Sequence, residues 1–422
     1  MNPDYINRIS DEKLKLYLRA KGAVLIEGPK WCGKTSSAEN LAGSVLYMQD
    51  PDKAAINKAT AQSQPSLLLE GEVPRLLDEW QVAPELWNAV RFAVDKRRAV
   101  GQFILTGSVI PTRTDDMHTG TGRIARMKMR TMSLYESGDS TGEISLESLF
   151  EEETDVSGIS NISVRQYAFL INRGGWPAVV NETDEKIALT VAADYVEAIA
   201  NEDISKADGN QKDPERVKAL LRSISRSISC EAKIVTLVND LTANDESLSH
   251  VTVDSYLKAL NKIFVIEDLP AWSAKLRSKT AMRTTAKRHF TDPSIATASL
   301  RATPKRLLSD FNTFGLLFES MCIRDLRIYA ESIDGSVYHY RDRNGLEVDA
   351  IIQLADGRWG AAEIKLGAGE VDKACDNLFK LKQIVDTDRM NEPSFLMVLT
   401  GTEYAFRMKN GIWIVPIGCL KN

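Results

Sequence analysis

Apolar positions fall along the chain in two alternating rhythms. Ala23-Val24-Leu25-Ile26, Leu76-Leu77 and Phe103-Ile104-Leu105 are short, continuous apolar runs with polar residues at their ends, the pattern of strands buried on both faces. Apolar residues of helical stretches lie between and around them: Leu14, Leu16 and Leu18 before Gly22, then Ala38, Leu41 and Ala42, then Leu86, Val90, Ala93 and Val94. Strand and helix patterns taken in turn predict an α/β domain with a parallel sheet over residues 1–137.

The rhythm changes after that. Residues 138–163 are rich in Ser, Gly, Glu and Asp and read as a linker or surface excursion. Helical periods follow at 163–172, 186–204 and 214–228, the last opened by Asp213-Pro214-Glu215, and then from Glu231 to Asp240. A further helix carries Val251, Tyr256, Leu257, Leu260 and Ile263, with Phe264-Val265-Ile266 and Arg288-His289-Phe290 as two strands behind it. Helices followed by a strand pair predict a helical, winged-helix-like region over 138–304. From 305 to 422 the pattern becomes a helix from Phe314 to Leu326, a hairpin (Val337–Tyr340 and Leu346–Ile352), the strand Trp359–Lys365, a helix at 370–385 and strands at 395–399 and 412–415. That is an α/β order, αβββαβ with one strand more.

Candidate chemistry sits at the strand ends. Behind the first apolar run comes Gly28-Pro29-Lys30-Trp31-Cys32-Gly33-Lys34-Thr35-Ser36, the G-x-x-x-x-G-K-T pattern of a phosphate loop between strand and helix. Its backbone N–H groups and helix N-terminus suit phosphate oxygens. Lys34 is expected at the β- and γ-phosphates and the Thr35 hydroxyl on Mg²⁺. Leu76-Leu77-Asp78-Glu79 ends in the acidic pair such a loop needs: Asp78 for the metal, Glu79 to polarise the attacking water. The bound ligands expected are therefore ATP and Mg²⁺. Thr106 or Ser108, at the end of the next strand, is a candidate polar contact to the γ-phosphate. Arg123 opens a cationic run with Arg126, Lys128 and Arg130 and is the candidate arginine finger.

In the last third, Asp349 stands before Glu363 and Lys365 in a D-x13-E-x-K spacing, on two consecutive strands. Period two puts Glu363 and Lys365 on one strand face. This resembles the PD-(D/E)XK, or restriction-endonuclease-like, superfamily. The resemblance implies that Asp349 and Glu363 share Mg²⁺, that Lys365 positions or activates water, and that Glu319 is an additional acid.

The stretch from Tyr5 to about Phe150 resembles prokaryotic AAA-type ATP-binding proteins with a C-terminal domain of unknown function. The residues that carry this are Glu27–Thr35, Asp78-Glu79-Trp80-Gln81, Leu105–Ser108, Gly122-Arg123-Ile124 and Met132–Gly138, and it extends through Gly174-Gly175-Trp176-Pro177. It implies an ATPase, a polar sensor beside the acidic strand end, and assembly into homo-oligomers in which an arginine reaches a neighbour's nucleotide.

Composition narrows the partners. Net charge is −5, so a nucleic-acid surface must be local. Lys275, Arg277, Lys279, Arg283, Lys287 and Arg288 form a run without Asp or Glu, a candidate contact to DNA phosphates. His289 beside it reads as a packed strand residue. The five cysteines are scattered, and no apolar run is long enough for a membrane span, so a cytoplasmic protein is expected. The rival reading is a nucleotide-gated, protein-binding adaptor whose nuclease-like fold is catalytically silent.

Overall fold

The structure is a computed structural model that describes residues 5–109, 119–151, 156–207, 209–242, 249–273, 285–385 and 390–422. The chain forms two compact units. One comprises the chain through Thr131 with Asp203–Gln211 and Ala259–Val265; the other comprises Met132–Glu202, Lys212–Lys258 and Ile266–Asn422.

The first unit is built on five parallel strands: β1 (Ala23–Glu27), β2 (Ser44–Tyr47), β3 (Arg75–Asp78), β4 (Phe103–Gly107) and β5 (Ile124–Lys128), in the order β2-β3-β4-β1-β5. The apolar runs are continuous because both faces are covered. Leu25, Leu77, Phe103 and Leu105 pack with Trp80, Leu86, Trp87 and Val90 on one side. Val24, Ile26, Leu76 and Ile104 pack with Leu14, Cys32 and Ala38 on the other. The helix after the phosphate loop is only Lys34–Glu39; Leu41 and Ala42, expected within it, lie in the turn beyond.

The second unit surrounds the helix Phe311–Ser332, which is buried on all sides from Leu317 to Ala330. A seven-stranded sheet packs beside it: β7 (Gly158–Ile159), β8 (Gly335–Arg341), β9 (Glu347–Leu354), β10 (Trp359–Lys365), β11 (Phe395–Thr400), β12 (Tyr404–Arg407) and β13 (Trp413–Pro416), in the order β7-β12-β13-β11-β10-β9-β8. The helix Val371–Ile384 lays Ala374, Leu378 and Leu381 on this sheet against Trp359, Ala361 and Val398. The expected αβββαβ order is present.

Two quoted motifs prove to be packing devices. Asp292 accepts from Gly175 N (2.9 Å) and from Arg324 (3.0 Å), while Asp325 accepts from Leu134 N (3.0 Å) and from Arg324 (2.8 Å). Gly175 has to be glycine, because a Cβ there would lie 2.0 Å from the Met132 carbonyl. The Met132–Gly138 run is thus tied to the central helix by Asp325 itself, and the Gly174–Pro177 run through Asp292 and the buried Arg324.

Two expectations change. Where a linker or surface excursion was expected over 138–163, the described residues include two sheet-paired strands: β6 (Ile144–Ser145) pairs in parallel with β14 (Leu420–Lys421), and β7 pairs with β12. Leu146, Leu149 and Phe150 are buried. Two-residue strands are too short to show a period, so composition alone misleads. The strand pair behind the helices exists as Ile266 opposite Phe290 and Leu269 opposite Lys287. It starts later than expected because Phe264 has φ 58°, outside the strand region. Ala271, just beyond Leu269, bridges His339 of β8 in parallel.

Candidate nucleotide site and acid–lysine cluster

The phosphate loop leaves β1 between its two sheet neighbours, β4 and β5. In open α/β sheets the crevice at the carboxyl ends of the strands is where ligands bind. Within the loop, Trp31 and Gly33 take left-handed φ values of 64° and 97°, which lets successive N–H groups turn toward one concavity. Gly28 passes so close to β5 that a Cβ would lie 2.1 Å from Met129 O. Arg8 braces the loop, donating to Cys32 O (2.8 Å) and Arg130 O (2.9 Å). Lys34 is buried and donates to Pro29 O at 2.7 Å, leaving its other two donors for phosphate.

The acidic strand end joins this loop directly. Asp78 Oδ1 accepts from the hydroxyls of Thr35 (2.7 Å) and Thr106 (2.7 Å). Glu79 has φ 55°; its N–H donates to Thr106 Oγ1 (3.2 Å), and its carboxylate accepts from Ser108 Oγ (3.2 Å) and from the Gln81 amide. A left-handed glutamate is strained, and such strain gathers at functional positions. Both sensor candidates are therefore engaged: Thr106 holds Asp78 and Ser108 holds Glu79. The hydroxyl of Thr35 beside a carboxylate is a hard-oxygen donor set that fits Mg²⁺.

Arg123 does not face this cradle. It precedes Ile124, which pairs with Ala23 at the opening of β1, so it stands at the opposite end of the sheet. There it pairs with Asp95 at 2.8 Å. Two further cations of the run have partners in the same unit: Arg126 on Glu27 (2.9 Å) and over the Trp87 ring, Lys128 over Phe264.

In the second unit, β9 and β10 bring Asp349, Glu363 and Lys365 together with Glu319 of the central helix. An unexpected fourth element adds Lys287. Its ammonium lies 2.8 Å from Glu319 and 3.3 Å from Asp349 Oδ1. Lys365 bridges Asp349 Oδ2 (3.1 Å) and Glu363 (2.7 Å). Asp349 Oδ2 also accepts from Ile364 N, and Glu363 accepts from Asn377. Burial pushes Glu319 up to about 7 and Glu363 up to about 8, with the Asp349 charge adding to both. Burial acts on Asp349 in the same direction, yet the Lys287 and Lys365 ammoniums hold it well below the usual carboxylate range. The cluster opens on its Glu319–Lys365 side into a cavity of about 400 Å³ edged by Phe311, Gly315 and Gly367. Among the described residues no group of three or more His, Cys, Asp or Glu is arranged to hold a metal.

This corrects the reading of the basic run. Lys287 is buried in the acid cluster and Arg288 is paired with Asp268, so neither is offered to phosphate. Lys275, Arg277, Lys279 and Arg283 lie outside the described residues. His289 is packed, as expected, with Nδ1 at 3.2 Å from Ser320 Oγ. Nothing in the residues around Lys287 signals its place in this cluster. The signal for Gln81 was its place just after the acidic pair.

Residues 20–137 match the AAA domain family. Residues 20–137 are thus an AAA-type ATP-binding domain with a parallel P-loop fold. Residues 164–306 and 314–420 match two families described only as domains of unknown function, DUF8612 and DUF4143. No curated protein matches the chain. Among solved structures, a Walker-type ATPase of Pyrococcus abyssi is 14% identical, with TM-score 0.44 over 71% of this chain and 97% of that one. AMPPCP-bound DnaA of Aquifex aeolicus is 15% identical (TM-score 0.24; 60% and 86% covered), and the RuvB Holliday junction branch migration motor of Thermotoga maritima 16% (TM-score 0.22; 63% and 90%). No described helix is long and apolar enough to cross a membrane.

Proposed function

We propose that this chain hydrolyses ATP at the Gly28–Ser36 loop and uses its nucleotide state to govern the second unit. The observation that carries the reading is the convergence of Thr35, Thr106 and Ser108 on the acidic pair Asp78 and Glu79 beside a buried Lys34. Lys34 neutralises the β- and γ-phosphates, and Glu79, oriented by Ser108 and Gln81, takes a proton from the attacking water. Thr35 and Asp78 would hold Mg²⁺, which supplies charge neutralisation at the phosphates. Arg123, remote from its own loop, serves a neighbouring copy in a homo-oligomer. Separate binding and turnover assays test this. Lys34→Ala loses tight ATP binding; Glu79→Gln keeps it and slows turnover by about a hundredfold or more. Mixing Arg123→Ala with Lys34→Ala chains recovers part of the lost turnover. Wild-type turnover by Glu79→Gln refutes the role of Glu79, and full activity from a monomer refutes that of Arg123.

For the second unit, the element order and the Asp349–Glu363–Lys365 constellation support a nuclease-like fold. Lys287 favours the silent version of it: both oxygens of Asp349 are already taken by ammonium and amide donors. The second unit then serves as a nucleotide-gated docking module for a protein partner, in place of cutting DNA.

A further inference from the structure

Lys30 is the other cation of the phosphate loop, and its ammonium has a partner far along the chain. It lies 2.5 Å from Asp203 Oδ1. Asp203 ends the π-helical stretch Ile199–Asp203, a form of backbone that recurs at functional positions because it re-aims the side chains it carries. It also begins the segment Asp203–Gln211, which clusters with the phosphate-loop unit although the chain on either side belongs to the other one.

The pair is lopsided. The Asp203 side chain is 9% exposed and that of Lys30 is 41% exposed. A buried carboxylate is costly without a cation, whereas a half-exposed ammonium on a flexible stem can turn to another acid nearby. A triphosphate in the Gly28–Ser36 loop is such an acid, with more charge than one carboxylate. The two Lys residues of the loop are therefore in different circumstances. Lys34 rests on a neutral carbonyl, Pro29 O, and gives up little to meet phosphate. Lys30 must leave a carboxylate.

We propose that Lys30 is shared between Asp203 and the triphosphate, so that Asp203 is a positioning residue that competes with nucleotide for this ammonium. Nucleotide binding then frees Asp203 and loosens the Asp203–Gln211 segment from the loop, which supplies a physical step between ATP binding and the helical region. The inference rests on the ATP-binding reading of the loop and concerns residues that reading leaves without a task.

The test uses the full chain and titrates ATP, ADP and AMP, with steady-state turnover alongside. Asp203→Asn is expected to lower Kd and KM for ATP about fivefold, the scale on which a partly exposed ion pair competes. AMP, without β- and γ-phosphates, shows little change, and kcat stays the same. Asp203→Glu restores wild-type values. The double variant Lys30→Ala/Asp203→Asn binds ATP more weakly than Asp203→Asn alone, because the released ammonium is gone. Asp203→Ser is a second route to the same release should the Asn variant fold poorly. Folded Asp203→Asn or Asp203→Ser protein that binds ATP no tighter than wild type overturns the proposal. So does a double variant that binds as tightly as Asp203→Asn. A wild-type chain that binds no ATP, with Lys34→Ala no different, instead refutes the reading of the loop itself.

Discussion

Two buried imidazoles show how a residue's surroundings turn into a property of the molecule. His289 and His339 stand near Lys287 in the second unit, and each has one ring nitrogen without a partner, Nε2 and Nδ1 respectively. Burial drives His339 down to about 4, helped by the Lys287 and Arg341 charges and opposed by the Thr285 carbonyl and Asp349. Burial also lowers His289 well below its ordinary value, with Arg327 and Lys287 adding and Glu267 opposing. Both are neutral in the folded chain at pH values where the unfolded chain binds a proton. Their contribution is complete above about pH 6.5 and is lost as the pH falls toward about 4, because the unfolded state then takes up more protons. Thermal melts at pH 6.5, 5.5 and 4.5 should therefore show a falling midpoint. His289→Gln and His339→Gln should each flatten that slope; an unchanged slope in both would show that other groups govern it.

At the scale of elements, the shortest strands do the longest-range work. β6 and β14 are two residues each, yet they join Ile144 to Leu420 across most of the second unit's sequence. Side-chain bonds reinforce the pairing: Ser140 Oγ donates to Leu420 O (2.8 Å) and Ser145 Oγ to Asn422 O (2.8 Å). Leu420 is fully buried. Leu420→Asp places a charge there without a cation partner and should destabilise the second unit by about 3–5 kcal/mol. Limited proteolysis should then cut first within 138–163, while ATP binding at the first unit persists. A protease pattern identical to wild type would mean that this pairing does not hold the segment.

For the whole molecule the open question is what the second unit acts on, and the two readings differ in their response to salt. A DNA partner stimulates ATP turnover, and the stimulation weakens steeply between about 50 and 200 mM salt as counterions compete. Docking to protein leaves turnover indifferent to DNA at either salt. We expect indifference, together with no nicking of plasmid in Mn²⁺ and ATP, because Lys287 and Lys365 already satisfy Asp349. Stimulation and nicking, both abolished by Lys365→Ala, would restore the nuclease reading.

The phosphate loop could be read from the chain because its chemistry is local. Gly28, Gly33, Lys34 and Thr35 are neighbours in sequence, and the apolar runs beside them announce their own strands through continuous burial. The αβββαβ order in the last third was readable for the same reason, each element being long enough to display its period. Nothing local marks Lys287 as a partner of Glu319 and Asp349, or Asp203 as a partner of Lys30. Those pairs join residues 32, 62 and 173 positions apart, and a lysine in a basic run has the same composition whether it faces solvent or two carboxylates. Which charge meets which was decided by chain crossings between elements, where burial makes an unpaired acid costly and selects the cation that can reach it.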